Sequence, residues 1–306
     1  MSVSTSRRLA LLTSAALALL AGCGSSSDPA DAKGTPARVA VVASTNVYGD
    51  IARRIGGDRV DVTSVIGDPG QDPHSYEADP QNQLALSRAK VVIENGGGYD
   101  DFVDSMLKGG HNDSAQVINA VDVSGRTAPG GGDLNEHVWY DFPTVAKVAD
   151  RISRALTKAD PGDAAVFGKN TAAFKAKLAP LRAREAQIKK AHGGEGVAIT
   201  EPVPLYMIEA SGLVNRTPAR FSEAIEEGDD VSPRVLRETL ALFSAKKVRA
   251  LVYNEQTSGP QTEKAEAAAK AAGIPVVPVT ETLPEGEDYL GWMTANLDAL
   301  ASALAQ

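Results

Sequence analysis

The chain has 306 residues, 43% of them hydrophobic, so it can form two domains of ordinary size without disulfide bonds. Acidic residues outnumber basic residues by 39 to 31. This balance disfavours nucleic acid as a partner, because phosphate recognition depends on lysine and arginine. It is compatible with a surface that handles cations.

The N-terminus has the pattern of an export signal. Two arginines precede an apolar stretch over residues 9–21, which is too short to span a bilayer comfortably. The stretch leads into Leu-Ala-Gly-Cys, ending at Cys23, which resembles the lipobox of bacterial lipoproteins. We predict a signal peptide over 1–22, lipidation of Cys23 and a flexible tether over 23–37. The alternative is a plain leader with a buried cysteine, and we expect no membrane span downstream.

Residues 38–142 alternate between apolar runs and helix-like stretches, which predicts an N-terminal α/β lobe. Repeated strand–helix units are typical of a parallel sheet covered by helices. The predicted strands are 39–43, 60–66, 91–93 and 117–118, with helices at 47–55 and 80–89. Residues 96–98 are three glycines without the lysine of a phosphate-binding loop, so we predict a flexible turn there.

Residues 143–192 are predicted to form linking helices, at 143–158 and 161–191. Pro180 is expected to kink or divide the second one, because proline removes a backbone donor. The strand–helix alternation resumes over 193–306, a C-terminal α/β lobe with predicted strands at 197–200, 248–253 and 276–279 and helices at 203–210, 233–246 and 260–272. It ends in a helix whose leucine seam should pack on the second sheet. The fold class is therefore α/β, with two βα-sandwich lobes of parallel strands flanked by helices, joined by one long linking helix.

Polar side chains follow several predicted strands, where ligands gather in parallel α/β sheets. His74, Glu201 and Glu281 each follow a strand, and His137 precedes the linking helices. Imidazole together with carboxylate suits first-row divalent metals, including zinc. Each residue alone also has an ordinary role open to it, in a turn, a helix cap or a solvent-facing position. Glu255 ends another strand and is either an alternative ligand or an acceptor that orients an imidazole.

Other functions remain open on the residues alone. A metal-dependent hydrolase needs an open coordination position and a general base, and no HExxH or GxSxG motif is present. A binding protein for an organic solute would be expected to have more aromatic residues than 5%. A secondary role in surface adhesion is a third alternative. We expect no enzymatic activity, and we expect His111 and His192 to be surface or helix-capping residues.

Three separated motifs carry a resemblance to a known family. They are Asp-Pro-His-Ser-Tyr-Glu around His74, Glu-His-Val-Trp around His137, and Thr-Glu-Thr around Glu281 with Tyr289 downstream. In this order they resemble the manganese/zinc-type solute-binding lipoproteins of bacterial ABC transporters, from about residue 39 to the C-terminus. The resemblance implies a C-clamp of two lobes, a rigid linking helix and a metal ion buried between the lobes by four side chains.

By this resemblance the metal ligands are His74, His137, Glu201 and Glu281. Glu201 stands where zinc-type members have histidine and manganese-type members often have glutamate, and Glu281 replaces the usual aspartate with a side chain one methylene longer. The loop over 124–135 lacks the histidines of many zinc-type members. We therefore expect Mn²⁺ to be favoured slightly over Zn²⁺, although zinc binds most such sites more tightly.

The resemblance also implies partners and a location. The partners are the metal ion, an ABC permease and an ATPase subunit, with the lipid anchor holding an exported monomer at the outer face of the cytoplasmic membrane or in the periplasm. Because imidazoles must be neutral to bind a metal ion, uptake should weaken as the pH falls towards ~6.

Overall fold

A computed structural model describes residues 37–68, 76, 79–128 and 134–306. The predicted signal peptide, Cys23 and residues 23–36 of the tether lie outside this part of the chain, as does His74. Within the described residues, no helix combines the length and the apolar composition needed to cross a membrane.

Residues 39–124 form a parallel sheet with flanking helices. Its strands, in the spatial order β2-β1-β3-β4, pair in parallel, with Val39 opposite Val60 and Val91 opposite Gln116. The strands are β1 (Val39–Thr45), β2 (Val60–Ile66), β3 (Val91–Glu94) and β4 (Gln116–Asn119). The helices are α1 (Asn46–Gly56), α2 (Pro80–Arg88), α3 (Phe102–Gly110) and α4 (Ala120–Ser124).

Two helices then lead to the second sheet, α5 (Phe142–Ala159) and α6 (Ala164–His192). The helix α6 is 29 residues long and continuous, so Pro180 does not divide it, and the kink given as the other outcome stays a prediction. The reason that the helix is not divided is the position of the proline. Pro180 has no N–H group to donate to the carbonyl of Ala176, one helical turn earlier, and both residues are exposed. Water can therefore satisfy that carbonyl, and the helix passes the proline without a break.

The second sheet repeats the first one's strand order, β6-β5-β7-β8, again in parallel. Its strands are β5 (Gly196–Ile199), β6 (Val214–Asn215), β7 (Leu251–Asn254) and β8 (Val276–Val279). Its helices are α7 (Leu205–Ala210), α8 (Ala219–Glu226), α9 (Pro233–Ser244), α10 (Pro260–Ala271) and α11 (Tyr289–Leu304). The predicted architecture of two α/β lobes joined by a long helix is confirmed.

One hydrophobic core runs through both lobes. Side chains alternate across each strand, so Val41 and Ala43 of β1 and Val197 and Ile199 of β5 all join this shared core. Their neighbours face separate outer clusters, Val42 in the first lobe and Ala198 in the second. Because the inner faces share one core, we expect the two lobes to move little relative to each other.

The predicted leucine seam of α11 lies mostly in this shared core, with Met293, Leu297, Leu300 and Leu304 buried and Leu290 half-buried. The helix packs against β8, as expected, but also against α6 and α1. It therefore ties the second sheet to the linking helix and to the first lobe.

The turn after β3 is built for a specific backbone shape. All three of its glycines, at 96–98, have positive φ angles of 77°, 72° and 97°. The Asp100 carboxylate accepts hydrogen bonds from the backbone N–H groups of Asn95 (2.6 Å) and Gly96 (2.7 Å). These two donors are therefore unavailable to a phosphate, which agrees with the prediction of a turn.

Candidate metal centre

The two predicted carboxylate ligands lie at the carboxyl ends of strands in the second lobe. Glu201 follows β5 by two residues, and Glu281 follows β8 by two residues. Both are almost fully buried, with exposures of 2% and 1%. Buried carboxylates need partners that offset the loss of hydration, so the groups around them indicate which ligand they bind.

A single amide joins these two carboxylates. The Nδ2 atom of Asn254, at the end of β7, donates to Oε1 of Glu281 at 2.8 Å and to Oε2 of Glu201. The hydroxyl of Thr257 donates to the same Oε2 atom of Glu201. Burial, together with the nearby negative charge of Glu281, raises the pKa of Glu201 to about 7. The hydrogen bonds from Thr257 and Asn254 lower this pKa, but they only partly offset the effect of burial.

The imidazole of His137 reaches this pair from the first-lobe side. His137 precedes the 3₁₀ turn Val138–Tyr140 that leads into α5, and it is fully buried. Its Nδ1 atom lies 2.7 Å from Oδ1 of Asn135. An amide oxygen only accepts hydrogen bonds, so Nδ1 carries the proton in the neutral ring and Nε2 keeps its lone pair.

The lone pair of Nε2 faces Glu281. Nε2 lies 3.8 Å from Oε2 of Glu281, and it has no partner at hydrogen-bond distance among the described residues. A metal ion with bonds of roughly 2.1 Å to nitrogen and oxygen fits between donor atoms at such a separation. The arrangement therefore offers one imidazole nitrogen and two carboxylates to a cation.

Negative charge around His137 favours a cation. Burial alone would lower the pKa of the imidazole, but its interaction with Glu281 and the charges of Glu136 and Glu226 outweigh burial and raise it to about 9. A proton thus stabilises the metal-free centre at neutral pH. A divalent cation that replaces it would satisfy the same carboxylates.

Glu226, the last residue of α8, is a carboxylate that the sequence reasoning missed. Its Oε1 atom lies 3.7 Å from Nδ1 of His137, whereas Glu281 lies near the other ring nitrogen, Nε2. The donor atoms of Glu136, His137 and Glu226 all lie within 4.8 Å of one another. Burial raises the pKa of Glu226 to about 8, with His137 opposing this and the other carboxylates adding to it. The available signal was an acidic residue at a helix C-terminus, where negative charge is unfavourable.

Glu255 is not part of this group, which corrects its assignment as an alternative ligand or orienting acceptor. Its side chain is exposed, and its backbone N–H donates to the carbonyl of Val279 at 3.1 Å. Successive residues at a strand end point in opposite directions, so the neighbouring Asn254 faces the centre instead.

The remaining predicted residues are placed as follows. His111 caps the end of α3 in a left-handed conformation and is exposed, and His192 is the last residue of α6, as expected. His74 and Cys23 lie outside the described residues, so their roles stay predictions. The structure brings His137, Glu201 and Glu281 together.

Aromatic side chains shield the centre from water. The rings of Trp139 and Tyr99 lie 5.0 and 5.9 Å from the His137 ring, measured between centroids. The hydroxyl of Tyr140 donates to the carbonyl of Thr280 at 2.8 Å, next to Glu281. Exclusion of water strengthens every charge interaction in the centre.

Comparison with known proteins identifies the family. Residues 41–303 match the family model described as zinc-uptake complex component A, periplasmic (ZnuA). The chain is 25% identical to the manganese ABC transporter substrate-binding lipoprotein ScaA of Streptococcus gordonii, over 94% of this chain and 95% of that protein. It is 26% identical to the iron ABC transporter substrate-binding lipoprotein MtsA of Streptococcus pyogenes serotype M1, over 98% and 99%.

Solved structures share the fold. The periplasmic zinc-binding protein TroA of Treponema pallidum superposes with a TM-score of 0.74 at 20% identity, over 88% of this chain and all of that one (100%). The protein FpvC of Pseudomonas aeruginosa, solved with Mn²⁺, gives 0.73 at 21% identity, over 88% and 98%. The predicted resemblance is confirmed, and because the family model covers most of its length, the chain belongs to the ZnuA family of periplasmic components of metal-uptake complexes.

Proposed function

We propose that this protein captures a divalent transition-metal ion outside the cytoplasm and delivers it to an ABC importer, holding the ion with His137, Glu201, Glu281 and the predicted ligand His74. The observation that carries the proposal is the geometry at His137. A buried Nε2 atom without a hydrogen-bond partner among the described residues faces a buried carboxylate oxygen at 3.8 Å. Family membership agrees with this function and supports neither a hydrolase nor a binding protein for an organic solute. The expectation that the chain catalyses no reaction remains a prediction.

We favour Mn²⁺ over Zn²⁺ as the physiological ion. Two buried carboxylate ligands, with Glu226 and Glu136 nearby, make a centre rich in oxygen donors and negative charge. Such donors suit Mn²⁺ better than a centre dominated by nitrogen or sulfur. Since zinc binds most nitrogen–oxygen centres more tightly, the preference would depend on which metal is available to the cell.

The lipid anchor and the partners complete the proposal. Cys23 would carry the lipid, and residues 23–37 would tether a monomeric body to the outer face of the membrane. The domains would be the predicted ones, with lobes over 38–142 and 193–306 and the linking helices over 143–192. A permease would receive the ion and an ATPase subunit would hydrolyse ATP to drive import, because the family's components serve uptake complexes.

Titration of metal-free protein tests the function. We expect Mn²⁺ and Zn²⁺ each to bind at one site and to raise the unfolding free energy by about 2.7 kcal/mol at a hundredfold excess over the dissociation constant. Mg²⁺ is the matched control, because it gives up its coordinated water reluctantly and should give no comparable shift. If neither transition metal stabilises the protein, the proposal is wrong. Elemental analysis of protein purified without added metal identifies the bound ion.

Metal binding should release protons, and the affinity should increase with pH. The pKa of His137 is raised to about 9 and that of Glu201 to about 7, so at pH 7 the metal-free centre retains protons that ligation must displace. We therefore expect the affinity to rise from pH 6 to pH 9, a higher range than the sequence alone predicts. Calorimetry in buffers of different ionisation enthalpy measures the proton count, and an affinity independent of pH over this range would contradict the prediction.

A further inference from the structure

Asn135 contacts both the imidazole and the opposite lobe. Its Oδ1 atom accepts from the backbone N–H of His137 at 3.1 Å and lies 2.7 Å from the ring atom Nδ1. Its Nδ2 atom donates to the carbonyl of Pro202 at 3.1 Å. Pro202 follows Glu201 directly, so one side chain touches the first-lobe imidazole and the second-lobe carboxylate loop.

These contacts fix the orientation of the Asn135 amide. If the oxygen and nitrogen were exchanged, an N–H group would face the backbone N–H of His137 and an oxygen would face the carbonyl of Pro202. Both contacts would be repulsive. The amide therefore holds Nδ1 of His137 protonated and leaves Nε2 as the metal-facing atom.

A second hydrogen bond joins the same loops. The hydroxyl of Tyr206, on α7, donates to the backbone carbonyl of Asn135 at 2.6 Å. The ring of Tyr206 lies under the guanidinium of Arg126, 4.1 Å from its centroid, and that guanidinium is paired with Asp141 at 2.9 Å. The loop that presents His137 is thus held against α7 through its backbone, independently of the Asn135 side chain.

We propose that Asn135 is a positioning residue that couples the orientation of the His137 ring to the approach of the Glu201 loop. The coupling rests on the proposed metal-binding function. Oδ1 of the Asn135 amide orients the imidazole, and Nδ2 of the same amide holds the Glu201 loop beside it, so the nitrogen and carboxylate donors are aligned together. When the loops separate, the Glu201 carboxylate moves away from the oriented imidazole and the ion is released faster.

A neutral amide is the side chain that can make both contacts. Aspartate has the same shape and can accept from Nδ1, but an ionised carboxylate cannot donate to the Pro202 carbonyl. It would also add negative charge next to Glu136 and Glu226. Asn135→Asp therefore separates the two roles, since it keeps the ring acceptor and loses the contact between lobes, whereas Asn135→Ala loses both.

The experiment compares Asn135→Ala, Asn135→Asp and Tyr206→Phe in the full chain, with Mn²⁺ and Co²⁺ as probes. We expect Asn135→Ala to weaken affinity by about 10- to 100-fold, the usual cost of removing a partner that orients a ligating histidine. Asn135→Asp should restore most of this affinity and a wild-type Co²⁺ absorption spectrum, but release metal several-fold faster than wild type. Tyr206→Phe should also release metal faster with an unchanged Co²⁺ spectrum, because it loosens the loop without touching the ring.

The outcomes separate this inference from the proposed function. If wild type fails to bind metal, the function itself is wrong. If wild type binds but Asn135→Ala binds within about twofold of it, or Asn135→Asp is as weak as Asn135→Ala, the ring is not positioned by this residue. If Asn135→Asp releases metal at the wild-type rate, the contact with Pro202 does not contribute and the coupling is overturned.

Discussion

His137→Ala should abolish the thermal stabilisation that Mn²⁺ or Zn²⁺ gives to the wild-type protein. The substitution removes the nitrogen donor that faces Glu281 and leaves Glu201 and Glu281 without the imidazole partner from the first lobe. Wild-type stabilisation of about 2.7 kcal/mol at a hundredfold excess over the dissociation constant should fall to nearly zero at the same metal concentration. Differential scanning fluorimetry with and without metal measures the shift.

Two histidines outside the proposed ligand set supply the controls. His111→Ala and His192→Ala remove imidazoles at the ends of α3 and α6, remote in sequence from the motif around His137, and should keep the full metal-induced shift. Because His137 is fully buried, its replacement will also lower the stability of the metal-free protein. The relevant quantity is therefore the difference between metal-bound and metal-free midpoints, and an unchanged difference in His137→Ala would refute the site.

Local sequence patterns predict the fold well where they are strong. The strands Val60–Ile66 and Val276–Val279 have the predicted bounds, because β-branched residues run between clear turn signals. By contrast, β7 was predicted at 248–253 and begins at Leu251, since Val248 is buried outside the ladder. The helices α3, α4 and α8 were missed, as they are nine residues or fewer and lie beside glycines.

The site was predictable in its ligand types but not in the contacts that hold them. Imidazoles and carboxylates next to strand ends carry a recognisable chemistry, so His137, Glu201 and Glu281 could be proposed from sequence. Asn254 and Asn135 could not, because a neutral amide has no metal-ligand signature. Their contacts to Glu201 and Pro202 also span 53 and 67 residues of sequence. Only the folded chain brings these donors to the ligands.

Glu201→Gln should stabilise the metal-free protein and weaken metal binding at the same time. The donors Asn254 and Thr257 both bind Oε2 of Glu201, so a glutamine oxygen can accept both while the buried charge disappears. The pKa of Glu201 is raised from 4.5 to about 7. The contribution of this carboxyl group to the unfolding free energy is thus most favourable below about pH 4.5, where it is protonated in both states. That contribution is lost as the pH rises through 7, because the buried group then ionises in the folded protein. The difference of about 2.5 units between the folded and unfolded pKa values, at about 1.36 kcal/mol per unit, corresponds to roughly 3 kcal/mol of unfolding free energy.

We therefore expect metal-free Glu201→Gln to exceed wild type by up to roughly 3 kcal/mol in unfolding free energy at pH 8, and by little at pH 5. Its affinity for Mn²⁺ should fall roughly 100-fold, which corresponds to about 2.7 kcal/mol. Glu255→Gln is the matched control, because that carboxylate is exposed two residues before Thr257 and should change neither quantity. Chemical denaturation at both pH values measures stability, and calorimetry measures affinity. Loss of both stability and affinity in Glu201→Gln would mean that Glu201 supports the fold rather than being held in place to bind a cation.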